Sequence, residues 1–428
     1  MIFSKSEKEI LDYFFTSSNE NDTVYAAKQT LPQEIVGYII GRASRAKETF
    51  REIFLKLWLE SFDIPVNFTI VDNKSKILDK ISDKAFKFLN EYKLHNSLRD
   101  VPHVAIFCDE LSILQTKVWE HEVVAEYQEK STRYRPFVAS NVYMPNDISS
   151  GLEKRIKEGH ELLINSYNSI FEATGKRDLA RYLLPVGSKT AMACMASIRS
   201  WERIVARMLA YPTNESYKLA DDITKSIRKA FGKLDSFIVE DSLVLKYVNE
   251  FAFLKEDCLD LSCMINDVDQ ESIVRKIDSA NVYKIDGLID IGAHRDLQRH
   301  RSIIQNFPDY RPIYGYDKLI SEYIDNDLYT EYSNCMKHFA EIFKDVYKEL
   351  CDKNNCGEMQ YVSLLGHMTR FWYVTDYERW KYVHDLRTGH PCQQSTNSKT
   401  VHFSYSTWCK KTDNNIFIKN LEKIHEPT

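Results

Sequence analysis

TAMACMASIRSWERIVARM (190–208) and TRFWYVTDYERWKYVHDLR (369–387) are the two stretches that decide how this chain is organised. Each starts at a threonine and runs on as an amphipathic segment carrying Arg and Trp, and each reads as a helix. Trp201 and Trp380 fall at equivalent distances from Thr190 and Thr369. Helices that share a Trp arise easily by chance, so the likeness needs support from the rest of the chain. No short repeat is visible, and the pattern predicts one long repeat in two halves, 1–238 and 239–428. A helical pattern over 213–234 stops at KLDSF (233–237), and a new one starts at DSLVLKYVNEF (241–251). No Gly- or Ser-rich linker joins them, so the halves are expected to pack together.

Outward from these segments, residues 31–62 place apolar side chains at helical spacing, with Pro32 suited to a first turn. The same test predicts helices over 151–172 and 213–234, and over 315–350 in two pieces. VNFTIVD (66–72), VPHVAIF (101–107) and NVYKIDGLIDIG (281–292) are the strand candidates. Only 13 Gly and 11 Pro leave few long loops. The fold class is α+β with helices dominant.

The 428 residues carry a net charge of −5, which argues against a generally basic nucleic-acid binder; an anion site must come from a local arginine cluster. No apolar run reaches the roughly 18 residues a membrane helix needs. The start, MIFSKSEKEILDYFF, is charged where a signal peptide is apolar. A cytoplasmic protein without membrane or nucleic-acid partners is expected. The nine cysteines are scattered and form no CxxC pair, which fits reduced structural thiols. His384 and His390 near Cys392 do not match a zinc spacing, and no metal is expected.

AHRDLQRHRS (293–302) is the densest cationic cluster. On a helix Arg295 and Arg299 are neighbours at i and i+4, where like charges repel unless something anionic compensates. A phosphate suits the paired donors of arginine. A solvated basic face, or neutralisation by Asp290 and Asp296, is the competing reading. EKSTRYRPF (129–137) gathers a carboxylate, hydroxyls, Arg and Tyr that can hold a sugar, a phosphate or a base edge, or can cap local backbone. ARYLLP (180–185) places Arg181 before an apolar run. LRTGHP (386–391) places Arg387 at a helix end, where it also complements the helix dipole. There is no Walker phosphate loop, no GxGxxG after a strand, no HExxH and no GxSxG elbow.

RHR (299–301) and EKSTRY (129–134) together resemble the signature of the flavin-dependent thymidylate synthases (ThyX), RHRxxSxNExSxRY, split between the halves. The second half keeps its front, Arg299, His300 and Arg301, with Asn306 and Arg311 in matching places, and departs at Ile304, Phe307 and Asp309. The first half keeps the back, Glu129, Ser131, Thr132, Arg133 and Tyr134, and has HEVVAE (121–126) for the front. Ala180, Arg181, Leu184, Pro185 and Thr190 match the family's Ala-Arg-x-x-Leu-Pro with its following Thr, where the second half has Gln360. Arg387 matches the family's substrate-binding Arg, where the first half has Met208. Arg199 matches a flavin-contacting position where the second half has Glu378, and His95 with Ser97 is similar to an upstream His-x-Ser/Thr element.

The losses are complementary. The resemblance therefore implies two ThyX-like halves, each a mainly antiparallel sheet with long helices, packed as a pseudo-dimer around one composite site. It implies C5 methylation of dUMP, with methylenetetrahydrofolate as carbon donor and FAD reduced by NADPH. Arg299, His300 and Arg387 take the catalytic positions. Glu129, Ser131, Thr132, Arg133, Arg181, Asp296 and Arg387 take the nucleotide. His95, Ser97, Arg199, Arg299, His300 and Arg301 take the flavin. A homodimer forming a pseudo-tetramer is implied as well. Asp296, standing where the family has Gln, leaves another pyrimidine nucleotide open. The departures leave open a catalytically degenerate relative that binds nucleotide only.

Overall fold

The computed structural model describes residues 2–43, 46–61, 74–91, 96–132, 137–231, 237, 239–255, 259, 261–269, 271–277, 282–301, 303–376, 378–380 and 382–383. The helices are α1 (Lys5–Phe14), α2 (Gln33–Ala43), α3 (Phe50–Glu60), α4 (Lys74–Glu91), α5 (Ile113–Glu120), α6 (Ser150–Thr174), α7 (Arg177–Ala180), α8 (Ile198–Ala210), α9 (Asn214–Ala230), α10 (Asp241–Glu250), α11 (Ile291–Gln298) and α12 (Asn326–Leu350). The strands are β1 (His103–Ser112), β2 (Ala125–Glu129), β3 (Lys189–Ser197), β4 (Asp267–Val268), β5 (Glu271–Ile277), β6 (Val282–Asp290), β7 (Ile304–Gln305), β8 (Tyr316–Asp317) and β9 (Met368–Asp376). Mixed helix and sheet makes this an α+β fold. The first sheet has the order β1-β3-β2 and the second β5-β6-β9-β7, antiparallel throughout; β4 and β8 form a short parallel pair.

Several sequence expectations need correction. The segments starting at Thr190 and Thr369 are not helical from the start: each opens as a nine-residue strand, β3 and β9, before turning helical. Short apolar runs are ambiguous in period, and here the sheet decides. The pattern over 31–62 is two helices, because Thr49 and Glu52 form a capping box that starts α3. In 315–350 the two expected pieces are a short 3-10 turn, Leu319–Glu322, and α12, which begins only after Asp325, whose side chain caps Leu328 N. Helices over 151–172 and 213–234 and strands over 101–107 and 281–292 are present, with shifted ends. The strand expected over 66–72 lies outside the described residues, as do Cys258, His384, His390, Cys392 and Cys409.

Packing divides the chain into two units, Met1–Ile106 with Cys194–Ala206 and Ala220–Leu243, and Phe107–Ala193 with Arg207–Leu219 and Val244–Thr428. The first unit is helical around Leu11, Phe14, Ile35, Phe54 and Ile81. Its buried Arg51 donates to the carbonyls of Ser17, Asn19 and Asp22 and lies 4.1 Å over the Tyr25 ring, which pins that loop.

The second unit contains a local two-fold relation. The strand order β1-β3-β2 returns as β6-β9-β7, and α6 and α12 are both 25 residues long. Pro185 bridges Leu364 antiparallel. Around that bridge the backbone bonds come in matched pairs: Val186 N to Ser363 O (2.7 Å) with Leu365 N to Leu184 O (2.9 Å), and Gly187 N to Tyr361 O (3.0 Å) with Gly366 N to Tyr182 O (2.8 Å). Further out, Ile113 N donates to Ser188 O and Ile291 N to His367 O, each at 2.9 Å. The helices α6 and α12 cross antiparallel, with Arg155 on Asp345, Ser166 on Glu331, and Gly159 against Phe339.

Candidate functional site

The short helices α5 and α11 hold the chemistry. Ser112 caps α5 at Gln115 N and Asp290 caps α11 at Ala293 N, so both helices start from the end of a strand. All eight residues of each helix are buried. The helices touch where Gln298 Nε2 donates to Lys117 O at 2.9 Å. Charged side chains on such helices must find partners, since an unpaired buried charge is costly.

They do so across the two halves of the sequence. Glu129, at the end of β2 and fully shielded, accepts from Arg295 at 2.5 Å and Arg299 at 3.0 Å, with Lys117 at 3.7 Å. Lys117 also pairs with Glu120. Burial alone would raise the Glu129 carboxyl, but Arg295, Lys117 and Arg299 outweigh it and hold it below its ordinary range. Burial pulls Lys117 down, opposed by Glu120 and Glu129. Arg181, in the turn after α7, bonds Asp296 at 2.9 Å and faces Asp178 at 3.8 Å. Burial works against its charge, yet the two aspartates raise its pKa further. Arg301 pairs with Glu126.

The repulsion expected between Arg295 and Arg299 is thus relieved by Glu129, a carboxylate from the other half. Asp290 caps its helix, and Asp296 serves Arg181. Burial, then Asp317, pushes the Asp290 carboxyl well up. His300 is buried with its ring 6.4 Å from that of Tyr382. The Arg299 and Arg301 side chains keep 36% and 28% of their surface, so neither is enclosed as Arg295 is.

Ser131 and Thr132 line a neighbouring cavity of about 390 Å³ together with Lys130, Asn141, Ser188, Lys189 and Thr190. Arg199 belongs to the first unit, where it bonds Asp100 at 2.8 Å. His95, Arg133 and Arg387, and the side chain of Ser97, lie outside the described residues. Lys117 and Asp178 were not singled out in the sequence. Lys117 stands where Arg295 stands in the other half, and that alignment was the available signal.

The locus related by the two-fold is built differently. Phe307 takes the place of Glu129, His121 that of Arg299 and Gln360 that of Arg181. The Phe307 ring meets Phe251 at 5.3 Å, Tyr211 at 5.6 Å and His121 at 5.6 Å. Gln360 donates to Tyr211 Oη at 2.6 Å and accepts from Tyr310 N at 3.2 Å. Asp309 pairs with the buried Arg311, which also donates to Phe253 O at 3.0 Å. Ile304 is exposed, as is Glu378.

Among the described residues no group of three or more His, Cys, Asp or Glu side chains is placed to hold a metal, and no helix is long and apolar enough to cross a membrane.

Among the known proteins that this chain is similar to are two, one of them seen in two structures. The UPF0159 protein of Chlamydia pneumoniae is 19% identical over 494 aligned positions, covering 90% of this chain and 89% of that protein. A UMP/dUMP methylase, PolB, of Streptomyces cacaoi bound with 5-Br dUMP is 15% identical with a TM-score of 0.30, over 46% of this chain and 86% of that one. The same methylase with 5-Br UMP gives 14% and 0.27, over 34% and 77%. The model of the thymidylate synthase complementing protein family, Thy1, matches residues 16–231, just over half of the chain. The chain therefore belongs to that family, the flavin-dependent thymidylate synthases its split motifs resemble, at about twice the length of the matched region.

Proposed function

We propose that the protein is a flavin-dependent thymidylate synthase that methylates C5 of dUMP, using methylenetetrahydrofolate and NADPH, at one composite site per chain. One observation carries this reading: Glu129 from the first half is clasped by Arg295 and Arg299 from the second, and Arg181 from the first by Asp296 from the second. Two sets of motif remnants that are separately incomplete meet in one place. The two-fold bonding around Pro185 and Leu364 supports packing of the halves as a pseudo-dimer. Pairing of two chains would complete a pseudo-tetramer, and light scattering on the purified protein reads that directly.

The site must hold a phosphate dianion and favour negative charge on a pyrimidine ring. Positioned cations and donors accomplish both. Ser131 and Thr132 bind the nucleotide from the cavity wall, with Arg133 and Arg387 as clamps carried over from the family. Glu129 orients Arg295 and Arg299 and thereby sets the distance between nucleotide and cofactor. Arg299 and Arg301 fit the negatively charged phosphates of FAD, because each is paired with a carboxylate and still partly exposed. When bound, FAD supplies the hydride. His300 would lie beside it, and the roles of His95, Ser97 and Arg199 in flavin binding follow from the resemblance. Asp296 is committed to Arg181 where the family has Gln, which favours a second reading with an altered pyrimidine. Competition between dUMP, UMP and dCMP separates the two.

The first experiment is a visible spectrum of the protein with FAD and dUMP. Bound flavin that NADPH bleaches is the expected result. No flavin retained with excess FAD and nucleotide overturns the proposal in favour of a non-catalytic relative.

A further inference from the structure

The second sheet ends on a long strand with an open edge. β5 is outermost in the order β5-β6-β9-β7 and pairs with β6 over seven residues without a bulge. In an antiparallel ladder alternate residues point both backbone groups at the neighbour, and the others point both away. The outward groups of β5 meet no other strand among the described residues. Edges are ordinarily blunted by proline, a bulge or short length. β5 contains no proline and has seven residues, where β7 at the opposite edge has two.

Its side chains are unusual for an edge facing water. Glu271, Ile273, Arg275 and Ile277 alternate on one face and all are exposed, Ile273 by 54% and Ile277 by 38%. Arg275 stands directly opposite Lys284 of β6, a like-charge pair that disfavours the ladder unless an anion answers it. Lys284 has its own partners, Asp286 at 3.3 Å and the Trp372 ring at 5.5 Å. Arg275 and Glu271 form no ion pair among the described residues. They lie two residues to either side of Ile273 with opposite charge, which makes the face complementary to itself.

We propose that β5 is a docking edge for a second copy of this chain, the two β5 strands pairing antiparallel about a two-fold axis through Ile273. In that register Glu271 faces the partner's Arg275, Arg275 faces the partner's Glu271, and Ile273 meets its own copy on the axis. The pairing shields Ile273 from water, gives Arg275 the anion it lacks and joins two four-stranded sheets into one. A strand without the mirrored order of charges gains only the backbone bonds. The surface serves the pairing of chains proposed above and does not depend on the enzymatic reading. One pair of edge strands is small for an interface, so the dimer dissociates on dilution.

Sedimentation velocity of the full-length protein, over concentrations up to about 100 µM, reads the association. Wild type is expected to be dimeric at the top of the series. Arg275→Glu and Glu271→Arg each set like charges across the axis and should weaken association at least about tenfold. Combining both substitutions in one chain restores the pairs and should return affinity to within about threefold of wild type. An equimolar mixture of the two single variants should dimerise as well, since one brings two glutamates and the other two arginines. Unchanged thermal midpoints show that each variant folds, and Arg275→Glu also relieves the repulsion from Lys284. Wild type that stays monomeric throughout overturns the proposal. A wild-type dimer that neither single variant weakens leaves chain pairing standing and overturns β5 as its surface. Weakening without recovery, in both the double variant and the mixture, overturns the two-fold register.

Discussion

Glu129 has no surface to share with water, and three cations converge on it. Two of them, Lys117 and Arg295, are as buried as the carboxylate itself. Removing its charge leaves those cations without compensation, the situation in which breaking a buried pair costs about 3–5 kcal/mol. Glu129→Gln should therefore lower the urea midpoint by a corresponding amount, and an unchanged midpoint would mean that water reaches the network. Histidines set a second property at this scale. Burial, aided by Lys117 and His121, holds His294 at about 3, and burial holds His367 at about 3. In an unfolded chain the value is about 6.5. Between those values the unfolded state binds more protons, so stability is level above about 6.5 and falls as pH drops through the window. His367 Nδ1 accepts from Leu364 N at 2.8 Å, a bond that protonation destroys. In His367→Asn the amide oxygen takes over as acceptor and cannot titrate. Its stability should fall less steeply between pH 6.5 and 5, by up to about 1.4 kcal/mol per pH unit. Parallel curves for variant and wild type in denaturant melts would contradict this.

At the level of elements, the turn that carries Pro185 or Leu364 recurs in both halves, and each copy ends on a glycine that a side chain would crowd. A Cβ on Gly187 would stand 2.8 Å from Tyr143 O and 3.0 Å from Tyr361 O, and one on Gly366 would stand 2.5 Å from Met336 and 2.6 Å from Tyr332 Oη. At Gly187 the obstacles are backbone, which cannot swing aside. Gly187→Ala should destabilise by about 1–3 kcal/mol, with a lower thermal midpoint as the readout; a midpoint at or above wild type would show that the turn can open. The elements legible beforehand were those whose pattern matched their environment. The amphipathic α6 and α9 showed a clear period, and β6 was bounded by glycine. The strands β3 and β9 are hidden in the sequence because Ala191–Ala196 and Phe371–Val374 are apolar on both faces, so the residue types do not alternate although the burial does. The break between α2 and α3 was readable in Thr49 and Glu52, a cap signal hidden within a continuous helical period.

For the chain as a whole, what decides the chemistry is that the matched backbone bonds around Pro185 and Leu364 in the second unit carry unmatched side chains. Sequence alone showed the complementary loss of charged motif residues, because charge is a property of the residue type. It did not show what replaced them, since the aromatic set around Phe307 is drawn from separated segments: His121, Tyr211, Phe251 and Tyr310. One locus presents carboxylates and guanidiniums with a cavity alongside; the other is filled by rings, with Gln360 satisfied by Tyr211 and Tyr310. A phosphate dianion entering the second locus would lose its hydration against aromatic surface and find His121 in place of Arg299. Burial lowers the His121 pKa, although its hydrogen bond to Glu250 opposes this, so that ring is a poor cation near neutral pH. The chain should consequently bind one nucleotide, not two. Equilibrium dialysis with labelled dUMP should saturate at one equivalent per chain. Exchanging Phe307 for Glu should not create a second site, because the cations there, Arg311 and Arg207, already face Asp309 and Glu122. It should instead destabilise the protein by placing an unpaired charge among rings. Saturation at two equivalents would show that the aromatic locus opens, and that the asymmetry of charge does not decide where the ligand goes.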